Sequence, residues 1–178
     1  TNSRTTKYHF DAIELISFNV DKAICEKNDA QPSRKYLGGS SLGSACARMV
    51  QYRYMQTPVD ESKQFPARTL RIFDFGHQIE DMVAKYLLDA GFELKTHDSQ
   101  GGQFGFSVAD DQIKGHIDGV ICSGPVPMGY PFLWENKSAN TKKFSEFVRK
   151  GVAEANPVYA AQIALYQAYM DLTENPAL

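Results

Sequence analysis

A chain of 178 residues with 43% hydrophobic and 22% charged residues has the size and balance of one globular domain with a proper core. Its formal charge of −2 gives no basic field, so any contact with nucleic acid must rest on local clusters and bound metal. There is no apolar run long enough to span a bilayer and no signal-peptide pattern. The three cysteines, Cys25, Cys46 and Cys122, are an odd number with no Cys-x2-Cys pair, which argues against a disulfide framework and a zinc finger. A cytoplasmic protein with reduced, mostly buried thiols is the expectation.

In chain order, the apolar stretch around Ile13 to Val20 predicts a helix, followed by a polar loop from Asn28 to Lys35. From Ser40 to Tyr54, Leu42, Ala45, Cys46 and Met49 recur at helical spacing behind a Ser-Ser start suited to capping. Phe73 to Ala90 predicts a further helix, with Ile79, Met82, Val83, Tyr86 and Leu87 on its apolar face and Gly91 as its stop. After Gly91 the period changes to alternation. Phe92 to Thr96 reads as a first strand, and Phe104, Phe106 and Val108 as one face of a second, with a turn at Asp110-Asp111. Ile113 to Ile121 reads as a third strand with Asp118 on its more polar side. In a fourth, Leu133, Glu135 and Lys137 share a side opposite Phe132, Trp134 and Asn136. Two helices close the chain, Thr141 to Lys150 with Phe144, Phe147 and Val148 inward, and one opening at Asn156-Pro157.

Three groups in this order carry chemistry: Asp118, then Glu135-Asn136-Lys137, then Gln162 and Tyr166, four apart on one helix face. Cutting a phosphodiester adds negative charge to the phosphate while a water loses a proton, and metal ions answer both demands. Hard divalent cations take oxygen ligands, so Asp118 and Glu135 are the candidate ligands, with the Lys137 ammonium on the same side of the strand. Glu-x-Lys alone is weak, since it also occurs at Glu61-Ser62-Lys63 and Glu93-Leu94-Lys95. Only the third example has a preceding strand with an aspartate and a following helix.

On these residues, over positions 38 to 170, the chain resembles the PD-(D/E)xK nuclease superfamily, in the branch of RecB-type, CRISPR-adaptation and phage lambda-type exonucleases. The resemblance implies an α/β (α+β) restriction-endonuclease-like core at 38–178, a central mixed sheet flanked by helices, behind an N-terminal extension at 1–37. It implies Asp118, Glu135 and the Asn136 carbonyl as ligands of Mg2+ or Mn2+, Lys137 as the catalytic lysine, and Gln162 and Tyr166 as the helix motif that supports the site. Glu80, in the run Gly76-His77-Gln78-Ile79-Glu80, matches a further ligand from an early helix. Ser41 and Arg48 lie where relatives meet the DNA backbone, which suits a helix start. Relatives with an iron-sulfur cluster use one early cysteine, matched by Cys46, and three later ones that the sequence lacks, so no cluster is expected. Ile117 stands where the superfamily's nominal proline would be.

The expected activity is metal-dependent DNA hydrolysis, most simply exonucleolytic, in phage or bacterial recombination or repair. A recombination partner protein is compatible with it, and no membrane partner is expected. The alternatives are a non-catalytic DNA-binding or assembly module on the same fold and a structure-selective endonuclease.

Overall fold

The computed structural model describes residues 3–178 and combines seven α-helices with two three-stranded sheets among them. It is therefore mixed α+β, in keeping with the coarse class that the resemblance implies. No described helix is long and apolar enough to cross a membrane. Backbone contacts divide the chain into two compact units, Thr1–Ser33 with Pro58–His77, and Arg34–Thr57 with Gln78–Leu178.

The first unit is helical. Its α1 (Ser3–Asp29) extends well beyond Ile13 to Val20 and takes in Asn28, expected as loop. Asp21 of α1 pairs with Arg71, near the start of α4 (Ala67–Asp89). Phe65 meets Phe73 edge-on, with ring centroids 5.2 Å apart.

The second unit holds every strand. Its elements are β1 (Leu37–Gly38), α2 (Gly39–Leu42), α3 (Ala47–Tyr54), the later part of α4, β2 (Glu93–Lys95), β3 (Gly105–Val108), β4 (Ile113–His116), β5 (Gly119–Ser123), β6 (Phe132–Trp134), α5 (Thr141–Lys150), α6 (Val152–Ala155) and α7 (Pro157–Tyr169). Strand pairing gives two sheets in place of a single central one: a mixed β1-β4-β3 and an antiparallel β2-β5-β6.

The run expected as one strand from Ile113 to Ile121 breaks at Ile117-Asp118. Ile117 is fully buried with Leu133, Tyr166 and Leu172, whereas Ile121 packs with Phe132 and Trp134, against Val83 and Leu87 of α4. In an unbroken strand these two residues would share a face, so the chain turns between the sheets. There the Ile117 N–H donates to Phe104 O at 3.0 Å, and its carbonyl accepts from Gln103 Nε2 at 3.2 Å. β6 likewise ends at Trp134, short of Lys137. Pairing continues by another route: Glu135 N–H donates to Leu178 O at 3.0 Å and Leu178 N–H to Leu133 O at 2.9 Å.

The helix expected from Ser40 to Tyr54 is two helices. Gly43, between them, packs so closely that a Cβ would come within 2.7 Å of Ala161 Cβ, and Cys46 is extended at φ −101° and ψ 93°. Tertiary packing against α7 thus overrides local propensity. The expected serine cap is absent too, because Gly38 occupies the cap position of α2 without a side-chain bond.

α5 starts at Thr141, and the side chain of Asn140 accepts from Lys143 N–H at 2.9 Å. Its covered stripe is Lys143, Glu146 and Phe147. Phe144 and Val148, expected inward, are exposed, because only one face of the helix is seated and charged pairs occupy part of it. On α4, Met82 and Tyr86 are also exposed, while Val83, Ala84 and Leu87 meet the sheet. The cysteines are free as expected but less buried: Cys46 is exposed and the other two are half-buried.

Candidate metal centre

β5 and β6 run antiparallel with Gly119 opposite Trp134, so the residue before Gly119 and the residue after Trp134 are brought side by side. These are Asp118 and Glu135. Asp118 Oδ2 accepts the backbone N–H of Asn136 at 2.8 Å, which ties the two segments together at the carboxylates.

The Glu135 side chain is only 2% exposed. Its Oε1 accepts from Gln162 Nε2 at 2.7 Å and from the Lys137 ammonium. Its Oε2 is buried without a hydrogen-bond partner among the described residues. Burial raises the Glu135 carboxyl to about 7, with Asp118 adding to the rise and Lys137 opposing it. For Lys137, burial works against the ammonium, yet Glu135 and Asp118 outweigh it and hold the group above the ordinary lysine value.

α7 supplies the opposite wall. Asn156 caps it, with Pro157 in its first turn, and the spacing 159, 162, 166 puts Tyr159, Gln162 and Tyr166 on one face. Gln162 Nε2 also reaches Tyr166 Oη at 3.1 Å. Both residues are buried, and burial keeps the Tyr166 phenol protonated by pushing it above its ordinary range. Tyr166 fits because Gly115 offers no side chain: a Cβ there would lie 2.7 Å from Tyr166 Cε1 and 2.5 Å from Phe106 Cε1. The Lys137 Nζ lies 5.7 Å from the centroid of the Tyr159 ring.

Asp118, Glu135, Asn136, Lys137, Gln162 and Tyr166 are therefore brought together. Glu80 is placed differently. It lines a cavity of about 280 Å3 with Asp118, Trp134, Thr96, His97 and Gln103. Among the described residues, no three His, Cys, Asp or Glu side chains form a ready-made metal cage. Ser41 is half-buried on the short α2 and its Oγ accepts from Arg53 at 3.4 Å; Arg48 is exposed on α3. Sequence reasoning missed Tyr159. The i, i+3, i+7 spacing with Gln162 and Tyr166 is the signal that finds Tyr159.

Comparison with protein-family models, curated proteins and solved structures gives no match. The functional reading rests on the chain's own geometry.

Proposed function

We propose that the chain is a Mg2+- or Mn2+-dependent deoxyribonuclease of the PD-(D/E)xK type, with a restriction-endonuclease-like core. It acts as an exonuclease in phage or bacterial DNA recombination or repair.

The observation that carries this reading is Glu135 Oε2, a buried carboxylate oxygen with no hydrogen-bond partner among the described residues, beside a second carboxylate. Buried polar atoms are almost always satisfied, and leaving one unpaired costs roughly 1–3 kcal/mol, more when it is charged. A hard cation removes that cost. Such an ion keeps several waters, so Asp118, Glu135 and the Asn136 carbonyl suffice without a full protein cage, and Glu80 is the further ligand from α4. When bound, the ion supplies charge neutralisation at the phosphate and a more acidic water.

The chain's own groups set the rest. Gln162 holds Oε1 of Glu135, which leaves Oε2 for the ion. Lys137, kept charged by its carboxylate neighbours, does not accept a proton; it orients the attacking water and stabilises the developing phosphate charge. Tyr166 braces Gln162 from behind. Ser41 and Arg48 contact the DNA backbone.

End-labelled linear and closed circular DNA, incubated with Mg2+, Mn2+ or EDTA, test the reading. Linear DNA is degraded with either metal and spared in EDTA, while circles persist; Glu135→Ala and Asp118→Ala lose the activity. Wild-type rates in Glu135→Ala refute it. The second reading is a DNA-binding module on the same fold that does not cut. Under that reading the wild type binds DNA and releases no nucleotides with either metal.

A further inference from the structure

Lys137 sits between two unlike neighbours. On one side is the Glu135 carboxylate, which pairs with its ammonium. On the other is the Tyr159 ring, whose centroid is 5.7 Å from Nζ. An ammonium held only by Glu135 would be fixed at a single point and free to swing about it. A ring face attracts the charge without offering a competing anion and without taking its proton.

Tyr159 is itself well anchored. Its backbone N–H donates to Asn156, to the carbonyl at 3.0 Å and to Oδ1 at 3.4 Å, so the first turn of α7 is pinned. Its ring packs on Phe147 of α5, with centroids 6.2 Å apart and planes tilted 35°. The other side of that pair is taken too, since Lys143 Nζ stands 5.3 Å from the Phe147 centroid. Each ring of the pair thus has one cation near it, and the rings join α5 to α7 beside Lys137. Tyr159 shares its helix face with Gln162, which holds the same Glu135 oxygen that pairs with Lys137. One face of α7 therefore fixes both partners of the Glu135–Lys137 pair.

We propose that Tyr159 is a positioning residue for Lys137, its ring a second anchor that, together with the Glu135 pairing, holds the ammonium at the reacting phosphate. This rests on the nuclease reading above, in which Lys137 acts on the reacting phosphate. Tyr159 contacts neither substrate nor metal, and its hydroxyl is not needed; the aromatic face is.

The test compares Tyr159→Leu and Tyr159→Phe, each in the wild-type and Lys137→Ala backgrounds, by Mn2+-dependent cleavage of linear DNA. Tyr159→Leu lowers kcat about tenfold and leaves KM for DNA within about twofold, as expected when a contact that matters only in the transition state is lost. Tyr159→Phe restores the rate. In the Lys137→Ala background Tyr159→Leu has no further effect, because the group it positions is gone. An equal loss in both backgrounds, or a Phe variant as damaged as the Leu variant, overturns the proposal.

A second readout is independent of cleavage and of whether Tyr159→Leu folds. The ring current of Tyr159 shifts the Lys137 Hε resonances of the wild-type protein upfield in its NMR spectrum, and Tyr159→Phe keeps the shift. Unshifted Lys137 resonances overturn the proposal even if DNA is cut. A wild type that shows the shift but cuts no DNA with either metal sinks the nuclease reading and leaves the Tyr159–Lys137 contact standing.

Discussion

Glu135 concentrates the physical tension of this protein. Its carboxyl is raised from an ordinary 4.5 to about 7 because burial penalises the charge. A group whose folded value is raised adds stability that is full below its unfolded value and is lost as pH climbs through the folded one. The metal-free protein therefore loses roughly 3 kcal/mol from this side chain between about pH 4.5 and a little above pH 7. Urea unfolding at about pH 5 and about pH 8 checks this: the loss appears in the wild type, is absent in Glu135→Gln, and is reversed by Mn2+ at the higher pH. A Glu135→Gln variant with the wild-type pH slope contradicts it. Gln162 is the other sensitive residue, donating to both Glu135 and Tyr166. Gln162→Leu should cost about 1–3 kcal/mol by leaving those acceptors short of a donor, read in the same unfolding experiment. No loss would mean that the buried network is not stabilising.

Among the elements, those whose ends are set locally were legible in sequence. α5 begins where Asn140 caps it, α7 where Asn156 and Pro157 start it, and α4 stops at Gly91, which adopts φ 87°. The approach of Asp118 to Glu135 was anticipated from neighbouring strands, although it comes from the antiparallel register that sets Gly119 opposite Trp134, with both acids just beyond the strand ends. The elements that were not legible are governed by packing between distant segments. Gly43 breaks the early helix because α7 lies against it, and Ile117 leaves the strand line because two sheets meet there. Tyr159 escaped notice for a related reason: helical spacing links it to Gln162, but nothing local says that this face of α7 looks onto the segment carrying Lys137. Gly115 makes the same point and can be tested. A Gly115→Ala methyl would collide with Phe106 and Tyr166, and overpacking of this kind costs typically 1–3 kcal/mol. A lowered melting temperature is the expected result, and a melting temperature equal to wild type would mean that the ring of Tyr166 has room to move.

At the scale of the whole molecule, under the proposed function, a net charge of −2 makes DNA binding dependent on a few cations and on metal. Affinity for linear DNA should be weak in EDTA and rise with Ca2+, a hard cation of the same ligand preference. Arg48→Ala should weaken binding at low salt and flatten the salt slope by about one. Unchanged affinity at low salt would remove Arg48 from the interface. Under the proposed function Glu135 Oε2 and Asp118 share a cation, and Mn2+ gives the most direct view of it. Anomalous diffraction from crystals soaked in Mn2+ should show a peak in contact with both carboxylates, absent from Glu135→Gln crystals; a wild-type map with no peak there would contradict the account.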